Sequence, residues 1–252
     1  MHAKTNIWHS VITKSIALAF FFFSAPAVLS AQDAVPIEIL QRTLMIRVGN
    51  QQGTAFIIDF GGKLYLVTAR HLISGLPETN ANIGVRRAGT WEVLRTVRTL
   101  VPASPDVDIA VFETDWPVSE RFGVQVEGLR GGVTMGQPVW FLGYPWGIGS
   151  HLKDFEAPFI KRGTMSAVDA SNPDAVVLYV DGFNNPGFSG GPIIYWSFSE
   201  RAYRIIGVVK GYREDRAKIL LNGQPVDTEL LVNSGILVGY SISHAIKAIP
   251  KR

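Results

Sequence analysis

The sequence contains no cysteine, and this absence limits how its fold can be held together. No disulfide can form, so packing of the core has to supply the stability, as in bacterial proteins rather than in small disulfide-bonded secreted domains. The hydrophobic fraction of 47% in 252 residues is large enough for such a core. Charged residues make up only 18% of the chain, which argues against disorder.

The sequence also lacks a strong excess of charge. The formal net charge is +3, and Lys4 and Lys14 near the N-terminus contribute two of these charges. This balance gives no indication of nucleic-acid binding. The arginines at 86, 87, 95 and 98 are a candidate surface for an acidic partner, although such a cluster is more often a solvated face. Since no metal-ligand spacing and no nucleotide-binding glycine loop occur, we expect no cofactor and no metal.

The N-terminal apolar run, Ile16 to Phe23, is short for a full membrane span. It follows two lysines and precedes small residues up to Ala31, an arrangement typical of a signal peptide. We predict a leader over 1–31, export to the bacterial periplasm or the extracellular medium, and no stable membrane insertion of the mature chain, 32–252. An uncleaved membrane anchor is the alternative.

Short runs of β-branched and aromatic residues recur between turn signals along the mature chain, and this pattern is typical of an all-β barrel or sandwich. One helix is predicted near the C-terminus, where Ile242, Ala245, Ile246 and Ile249 share a face. Glycine and proline accumulate over 116–138, the predicted connection between two halves. The predicted strands are 43–48, 53–58, 63–68, 91–99, 107–113, 139–142, 159–168, 175–181, 192–197, 204–210 and 235–242.

Only three histidines remain once the leader is removed, namely His71, His151 and His244. His71 ends the hydrophobic run that begins at Leu64, which makes it a candidate general base, with a structural hydrogen-bonded role as the alternative. Asp108 begins an apolar strand and can be held partly buried, as suits a carboxylate that orients a histidine. Asp106 is the nearby competitor, and we favour Asp108 because it directly adjoins the apolar run.

Ser189 lies in a glycine-rich segment that runs from Asn185 to Pro192. Glycines on both sides of a serine let the backbone turn sharply and bring amide N–H groups close to a substrate carbonyl. The amides of Gly187 and Ser189 are the candidate oxyanion hole. An ordinary surface loop is the alternative, but this segment lies between two apolar strands.

The same segment satisfies the G-x-S-x-G pattern of the α/β-hydrolase nucleophile, with His244 and either Asp215 or Asp227 in the required order. That nucleophile has to lead into a helix. Here Pro192 and the apolar residues after it predict a strand, which makes an esterase the weaker hypothesis.

With these residues in place, the sequence resembles the trypsin-like serine proteases of the bacterial exported type, including the high-temperature-requirement periplasmic proteases. The resemblance covers about 43–249, and it implies two six-stranded antiparallel β-barrels, about 40–116 and 137–238, with the catalytic triad in the cleft between them. It also implies a short C-terminal helix at about 241–249, and we expect no PDZ domain. The motifs that carry the resemblance are Gly53 to Phe56, Thr68 to His71, Asp108 to Ala110, Gly143 to Gly147, Gly163 to Ser166, Gly187 to Pro192 and Ile206 to Val209.

The resemblance implies a serine endopeptidase that forms an acyl-enzyme with a polypeptide substrate, with His71 as base, Asp108 as its orienting partner and Ser189 as nucleophile. The substrate backbone would pair as an added strand with Lys210, Gly211 and Tyr212. Phe183 and Asn184 would border the primary specificity pocket. A non-catalytic binding module of the same fold is the main alternative.

Phe188 departs from the family, since many relatives carry an acid or an amide directly before the nucleophile. An oxyanion hole uses backbone N–H groups, so this departure leaves the predicted chemistry intact. We expect local packing to set the conformation of the loop, with Phe188 buried beneath it.

Overall fold

The computed structural model describes residues 34–115, 133–152 and 155–250. The predicted leader and most of the predicted connection, 116–138, lie outside these ranges. The chain divides into two units after Ala34, and the second unit, Val35–Arg252, holds every helix and strand given below. No helix within the described ranges is long and apolar enough to cross a membrane.

The N-terminal half forms a seven-stranded antiparallel sheet in the order β5-β4-β1-β2-β3-β7-β6. A helix of one to two turns, α1 (Ile37–Arg42), leads into β1, and a 3-10 helix, Arg70–Ile73, follows β3. The strands are β1 (Thr43–Val48), β2 (Gln51–Phe60), β3 (Lys63–Thr68), β4 (Asn82–Arg87), β5 (Thr90–Arg95), β6 (Arg98–Leu100) and β7 (Ala110–Glu113).

The C-terminal half forms a closed six-stranded barrel in the order β11-β12-β15-β14-β13-β8, beside a small two-stranded sheet of β9 and β10. Helix α2 (Ser243–Ala248) follows the last strand. The strands are β8 (Pro138–Gly143), β9 (Ser150–His151), β10 (Glu156–Ala157), β11 (Phe159–Asp169), β12 (Val177–Asp181), β13 (Pro192–Ser197), β14 (Ala202–Leu221) and β15 (Gln224–Ser241). The predicted all-β class, with two sheet subdomains and a short C-terminal helix, is confirmed. The second subdomain is the expected six-stranded barrel, whereas the first has seven strands where six were expected.

Successive residues of β2 are buried in two different cores. Ala55 and Ile57 pack inside the first sheet, whereas Phe56 and Ile58 pack in a second cluster together with Val208 and residues of α2. Because side chains alternate between the two faces of a strand, a strand that is covered on both faces has to be apolar throughout. The two halves therefore share one continuous apolar cluster, and this cluster fixes the position of one sheet on the other.

Strands β14 and β15 extend well beyond the barrel as a two-stranded arm, from about residue 213 to 233. Asn222 and Gly223 both have positive φ, at 51° and 77°, and form the tight turn at its tip. The first of these strands was predicted to end at Lys210 and the second to begin at Gly235, so the arm was not predicted. An Asn-Gly pair after an apolar run is a strong hairpin signal. Helix α1, strand β4 and the β9-β10 pair were not predicted either, and the single strand predicted over 91–99 is in fact β5 and β6, which lie at opposite edges of the sheet.

The arginines proposed as an acidic-partner surface mostly pair with acids of the chain itself. Arg86 Nε lies 3.6 Å from Glu156, an Arg87 nitrogen 3.8 Å from Glu92, and an Arg98 nitrogen 3.3 Å from Glu113. Their charge is therefore balanced locally, as expected of a solvated face.

Tyr144 links the two halves of the fold through its hydroxyl group. The hydroxyl donates to the Thr43 carbonyl at 2.7 Å and lies 2.9 Å from the Glu156 carbonyl. Burial, together with the Glu156 carboxylate, raises the pKa of Tyr144 well above its ordinary value, so the group stays a neutral donor.

We expect Tyr144→Phe to lower the free energy of unfolding by roughly 1–3 kcal/mol, because the substitution removes the single hydroxyl donor that two buried carbonyls share. Urea denaturation followed by tryptophan fluorescence measures the change. Tyr179→Phe is the matched control, since the Tyr179 hydroxyl makes no hydrogen bond within the described ranges. Equal stability of the two variants would contradict this role of Tyr144.

Candidate active site

His71 and Asp108 are brought together by the ends of two adjacent strands. His71 lies in the 3-10 helix after β3, where Leu72 and Ile73 anchor the turn in the core of the first sheet. Asp108 precedes β7, which pairs with β3. Its neighbours Val107 and Ile109 are fully buried in the core. Because successive side chains of an extended segment point in opposite directions, the Asp108 carboxylate points away from that core. The choice of Asp108 over Asp106 agrees with this geometry.

Two short hydrogen bonds fix the imidazole of His71 on the carboxylate of Asp108. The His71 Nδ1 to Asp108 Oδ2 distance is 2.6 Å, and the His71 backbone N–H donates to Oδ1 at 2.8 Å. The Asp108 side chain is 12% exposed, whereas the ring of His71 is 45% exposed. The ring is thus oriented from its buried edge while its other edge faces solvent.

The pKa of Asp108 lies below its ordinary value. Burial by itself raises this pKa, but the hydrogen bonds and charge of His71 outweigh burial, and the Lys210 ammonium adds to the lowering. Asp108 is therefore an ionised acceptor at neutral pH. In a neutral imidazole the proton then lies on Nδ1, which leaves Nε2 free to accept a proton.

Ser189 lies in the loop that leads into β13, and three contacts place it beside the His71 segment. The Ser189 carbonyl accepts from the Thr54 N–H at 2.9 Å. Gly190, at φ +82°, approaches the backbone of Ala69 so closely that a side chain would not fit there. Lys210 also lies between the two parts, because its carbonyl contacts Ser189 while its ammonium acts on Asp108.

The hydroxyl of Ser189 donates to the Lys210 carbonyl at 3.0 Å. Within the described ranges it makes no hydrogen bond to His71. The structure thus brings the three predicted residues into one neighbourhood, with the serine hydroxyl turned toward strand β14 rather than toward the imidazole.

Five backbone N–H groups of the loop around Ser189 differ in whether they have an acceptor. The N–H groups of Phe188, Gly190 and Gly191 donate to backbone carbonyls, at 3.2, 2.8 and 2.9 Å. The N–H groups of Gly187 and Ser189 have no acceptor among the described residues. Gly187 has a φ of +104°, a conformation that residues with a Cβ rarely adopt. Glycine at this position therefore permits the turn.

Thr54 holds this loop in place with its side chain and its backbone. Its hydroxyl donates to the Gly187 carbonyl at 2.7 Å and accepts from the Tyr144 N–H at 3.1 Å. The Thr54 carbonyl in turn accepts from the Thr68 hydroxyl at 2.7 Å. Thr54 lies in the Gly53 to Phe56 motif, but its hydrogen bonds to the serine loop were not predicted. A threonine inside a strand carries no signal of long-range contacts.

Phe188 is fully buried, as expected from the sequence. Its ring packs edge-on against Phe141 with centroids 5.4 Å apart inside the second barrel. Lys161, also missed in the sequence, supports the same loop: its ammonium donates to the Phe183 carbonyl and to Asn185 Oδ1, both at 2.7 Å. Partial burial lowers the pKa of Lys161.

The residues predicted to contact substrate differ in their accessibility. Phe183 is 55% exposed, whereas Asn184 is buried, with its side-chain N–H donating to the Gly211 carbonyl at 3.0 Å. Lys210 is exposed on β14, and Tyr212 is half-buried. Of these residues, Lys210 contacts Ser189, and Asn184 contacts Gly211 at the base of the arm.

The alternative assignments are not brought together. His244 is buried, and its Nε2 accepts from the Val176 N–H at 2.9 Å, on the side of α2. Asp215 and Asp227 lie on the exposed arm. Ser189 leads into strand β13 rather than into a helix, so the hydrolase arrangement does not form. His151 lies near Glu156 in the small sheet.

Comparisons with known proteins identify the family and the fold of the chain. The family model described as trypsin-like peptidase domain matches residues 53–197, more than half of the chain. The chain is similar to Protease Do-like 1, chloroplastic, of Arabidopsis thaliana, with 27% identity over 163 residues, which are 65% of this chain and 33% of that protein. The chain thus spans about a third of the length of this curated relative.

Solved structures give the same fold. The HtrA-type protease AlgW with a tripeptide aligns with a TM-score of 0.55 and 20% identity, over 84% of this chain and 60% of that chain. The Rv3671c protease from M. tuberculosis in its active form aligns with a TM-score of 0.55 and 16% identity, over 84% and 81%. Since the family model matches more than half of the chain, the chain belongs to the family of trypsin-like peptidases.

Proposed function

We propose that this protein is a serine endopeptidase in which His71, Asp108 and Ser189 form the catalytic triad. The observation that carries the proposal is the His71–Asp108 pair, oriented by two short hydrogen bonds beside a serine loop with two free amides. A binding module needs neither an ionised acid behind a histidine nor unpaired amides beside a serine.

A substrate bound as an added strand would pair its backbone with β14 at Lys210 and Tyr212. The N–H of the substrate residue before the scissile bond then donates to the Lys210 carbonyl, which the Ser189 hydroxyl occupies in the structure. Substrate binding displaces the hydroxyl, and a rotation about the Cα–Cβ bond of Ser189 turns it to His71 Nε2. The nucleophile is thus activated as the substrate takes its place.

In the chemical step, Ser189 Oγ attacks the scissile carbonyl while its proton moves to His71 Nε2. The Asp108 carboxylate stabilises the imidazolium, and the amides of Gly187 and Ser189 donate to the oxyanion. The imidazolium then protonates the leaving amine, and an acyl-enzyme remains. Water, deprotonated by His71, hydrolyses the ester and restores Ser189.

Residues 32–252 are the proposed protease domain, and the signal-like segment 1–31 supports export to the periplasm or the medium. N-terminal sequencing of the protein recovered outside the cytoplasm tests this location, and retention of residues 1–31 in a membrane fraction would instead indicate an anchor.

We expect Ser189→Ala, His71→Ala and Asp108→Asn to lower kcat/KM for a peptide by about 10⁴-fold or more, because the three residues act as one unit. Asp106→Asn is the matched control for Asp108, since Asp106 makes no hydrogen bond within the described ranges. Labelling of the wild-type protein with a fluorophosphonate probe, and its loss in Ser189→Ala, distinguishes an enzyme from a binding module. Full turnover in His71→Ala would rule out the triad.

Thr54→Val tests whether the serine loop needs the hydrogen bond from the Thr54 hydroxyl to the Gly187 carbonyl. The substitution keeps the shape of the side chain but removes the donor to the Gly187 carbonyl, so we expect kcat to fall about tenfold or more with little change in KM. Thr96→Val is the matched control: Thr96 is equally buried and donates to the Ala81 carbonyl at 3.2 Å, far along the chain from the serine loop. An unchanged kcat in Thr54→Val would contradict this role of the Thr54 hydroxyl.

The lowered pKa of Asp108 predicts a pH dependence of stability. A carboxyl whose pKa is lower in the folded than in the unfolded chain stabilises the fold above about pH 3.9, and this contribution is lost as the pH falls through the folded pKa. We expect wild type to be more stable than Asp108→Asn at pH 7, and the difference to shrink below about pH 4. Urea denaturation at pH 7, 5 and 3 measures it, and an equal difference at all three values would contradict the assignment.

A further inference from the structure

The arm continues directly from the strand that is proposed to bind substrate. The N–H and the carbonyl of Val209 still bond to Gly191 and Gly190, both at 2.8 Å. Past Val209, strand β14 pairs only with β15 within the described part of the chain. One edge of β14 is therefore open from Lys210 into the arm. An open strand edge is a template for pairing with another extended chain.

The backbone groups of a strand alternate between its two edges, and the contacts of this arm show which residues face the open edge. The register shifts between Val209 and Gly211, so the alternation of the arm is counted from Gly211. The Gly211 carbonyl accepts from Asn184, which is itself bonded to Asn233 of β15. The Arg213 carbonyl accepts from the Ser234 hydroxyl at 2.7 Å, so the odd-numbered residues from Gly211 onward face β15. The Lys210 carbonyl contacts Ser189, and the Arg216 N–H donates to Asp215 Oδ1 at 2.8 Å, so the even-numbered residues face outward.

Strand β14 keeps this alternation across an irregularity in its partner. Tyr212 pairs with Leu237, and Glu214 pairs with Asn233, so the extra residues of this step belong to β15. The backbone at Tyr212 and Glu214 therefore presents one continuous open edge, and Glu214 is exposed. The edge ends at Arg216, because the Asp215 carboxylate already occupies the Arg216 N–H.

We infer that the open edge of the arm binds the substrate polypeptide further from the scissile bond, with Glu214 as an additional backbone pairing site. In an antiparallel register with the first residue before the scissile bond at Lys210, the third lies opposite Tyr212 and the fifth opposite Glu214. The fifth residue exchanges two hydrogen bonds with Glu214, and Asp215 stops the pairing before the seventh. This inference rests on the proposed peptidase function and specifies which substrates that site prefers.

A length series of internally quenched peptides tests the inference. The peptides share the scissile bond and the residues after it, and they begin three, five or seven residues before it. We expect kcat/KM to rise roughly tenfold from three to five, as for two added hydrogen bonds, and to change little from five to seven. N-methylation of the fifth residue's amide should remove the gain, whereas N-methylation of the fourth, which points away from the edge, should not.

Substitutions in the arm test whether Glu214 pairs with the fifth substrate residue. Glu214→Pro removes the outward N–H and should abolish the gain at five residues, whereas Glu214→Ala keeps the backbone donor and should retain it. Asp215→Ala frees the Arg216 N–H and should add a gain from five to seven. The N-methylated peptides need no variant, so a folding defect in Glu214→Pro does not affect the conclusion.

Binding separates this inference from the proposed function. Fluorescence anisotropy of the same peptides on Ser189→Ala reports the length dependence without turnover. Cleavage of the shortest peptide by wild type, with no gain in cleavage or binding at five residues, would overturn the inference and leave the peptidase proposal intact. A binding gain at five residues without cleavage of any peptide would support the edge and overturn the peptidase proposal.

Discussion

The active-site neighbourhood depends on the hydrogen bonds of one buried threonine. Thr54 N–H, Oγ and carbonyl contact Ser189, Gly187 and Thr68 respectively, so a residue in the middle of β2 joins the serine loop to the strand that precedes His71. Thr54 is fully buried, and a buried polar group that lost any of these partners would carry the full cost of desolvation. The loop is therefore held in a conformation that satisfies every polar group of Thr54, whereas the Gly187 and Ser189 amides keep no acceptor among the described residues.

The two-faced first sheet explains how such a site can be rigid without disulfides. Strands β2, β3 and β7 bury one face inside their own sheet and the other against the C-terminal half, so the His71 and Asp108 segments begin or end in strands packed on both sides. On the other half, Phe188 places an aromatic ring in the barrel core directly before the serine. Apolar packing thus fixes both halves of the site, and the polar contacts between them need only set the final orientation.

The arm adds a different element to this scaffold. Its residues are largely exposed and carry charges of both signs, with an ion pair between Arg216 and Glu229 at 3.2 Å across its two strands. An extended two-stranded ribbon has little core of its own, so its backbone pairing and tight turn hold it together. An open edge on such a ribbon could add a strand without any rearrangement of the barrel.

Sequence by itself determined the class of the fold, most strands, the C-terminal helix and the identity of the residues that meet in the site. These features follow from local patterns: apolar runs of strand length, glycines around Ser189, and a histidine and an acid at strand ends. The bounds of β1, β3 and β13 agree with the predicted runs residue by residue. Only tertiary structure decided the roles of Thr54, Tyr144 and Lys161, the course of the arm and the rotamer of Ser189. Each of these features depends on atoms from segments that are far apart in the chain. No local pattern indicates which distant carbonyl a hydroxyl or an ammonium group will contact.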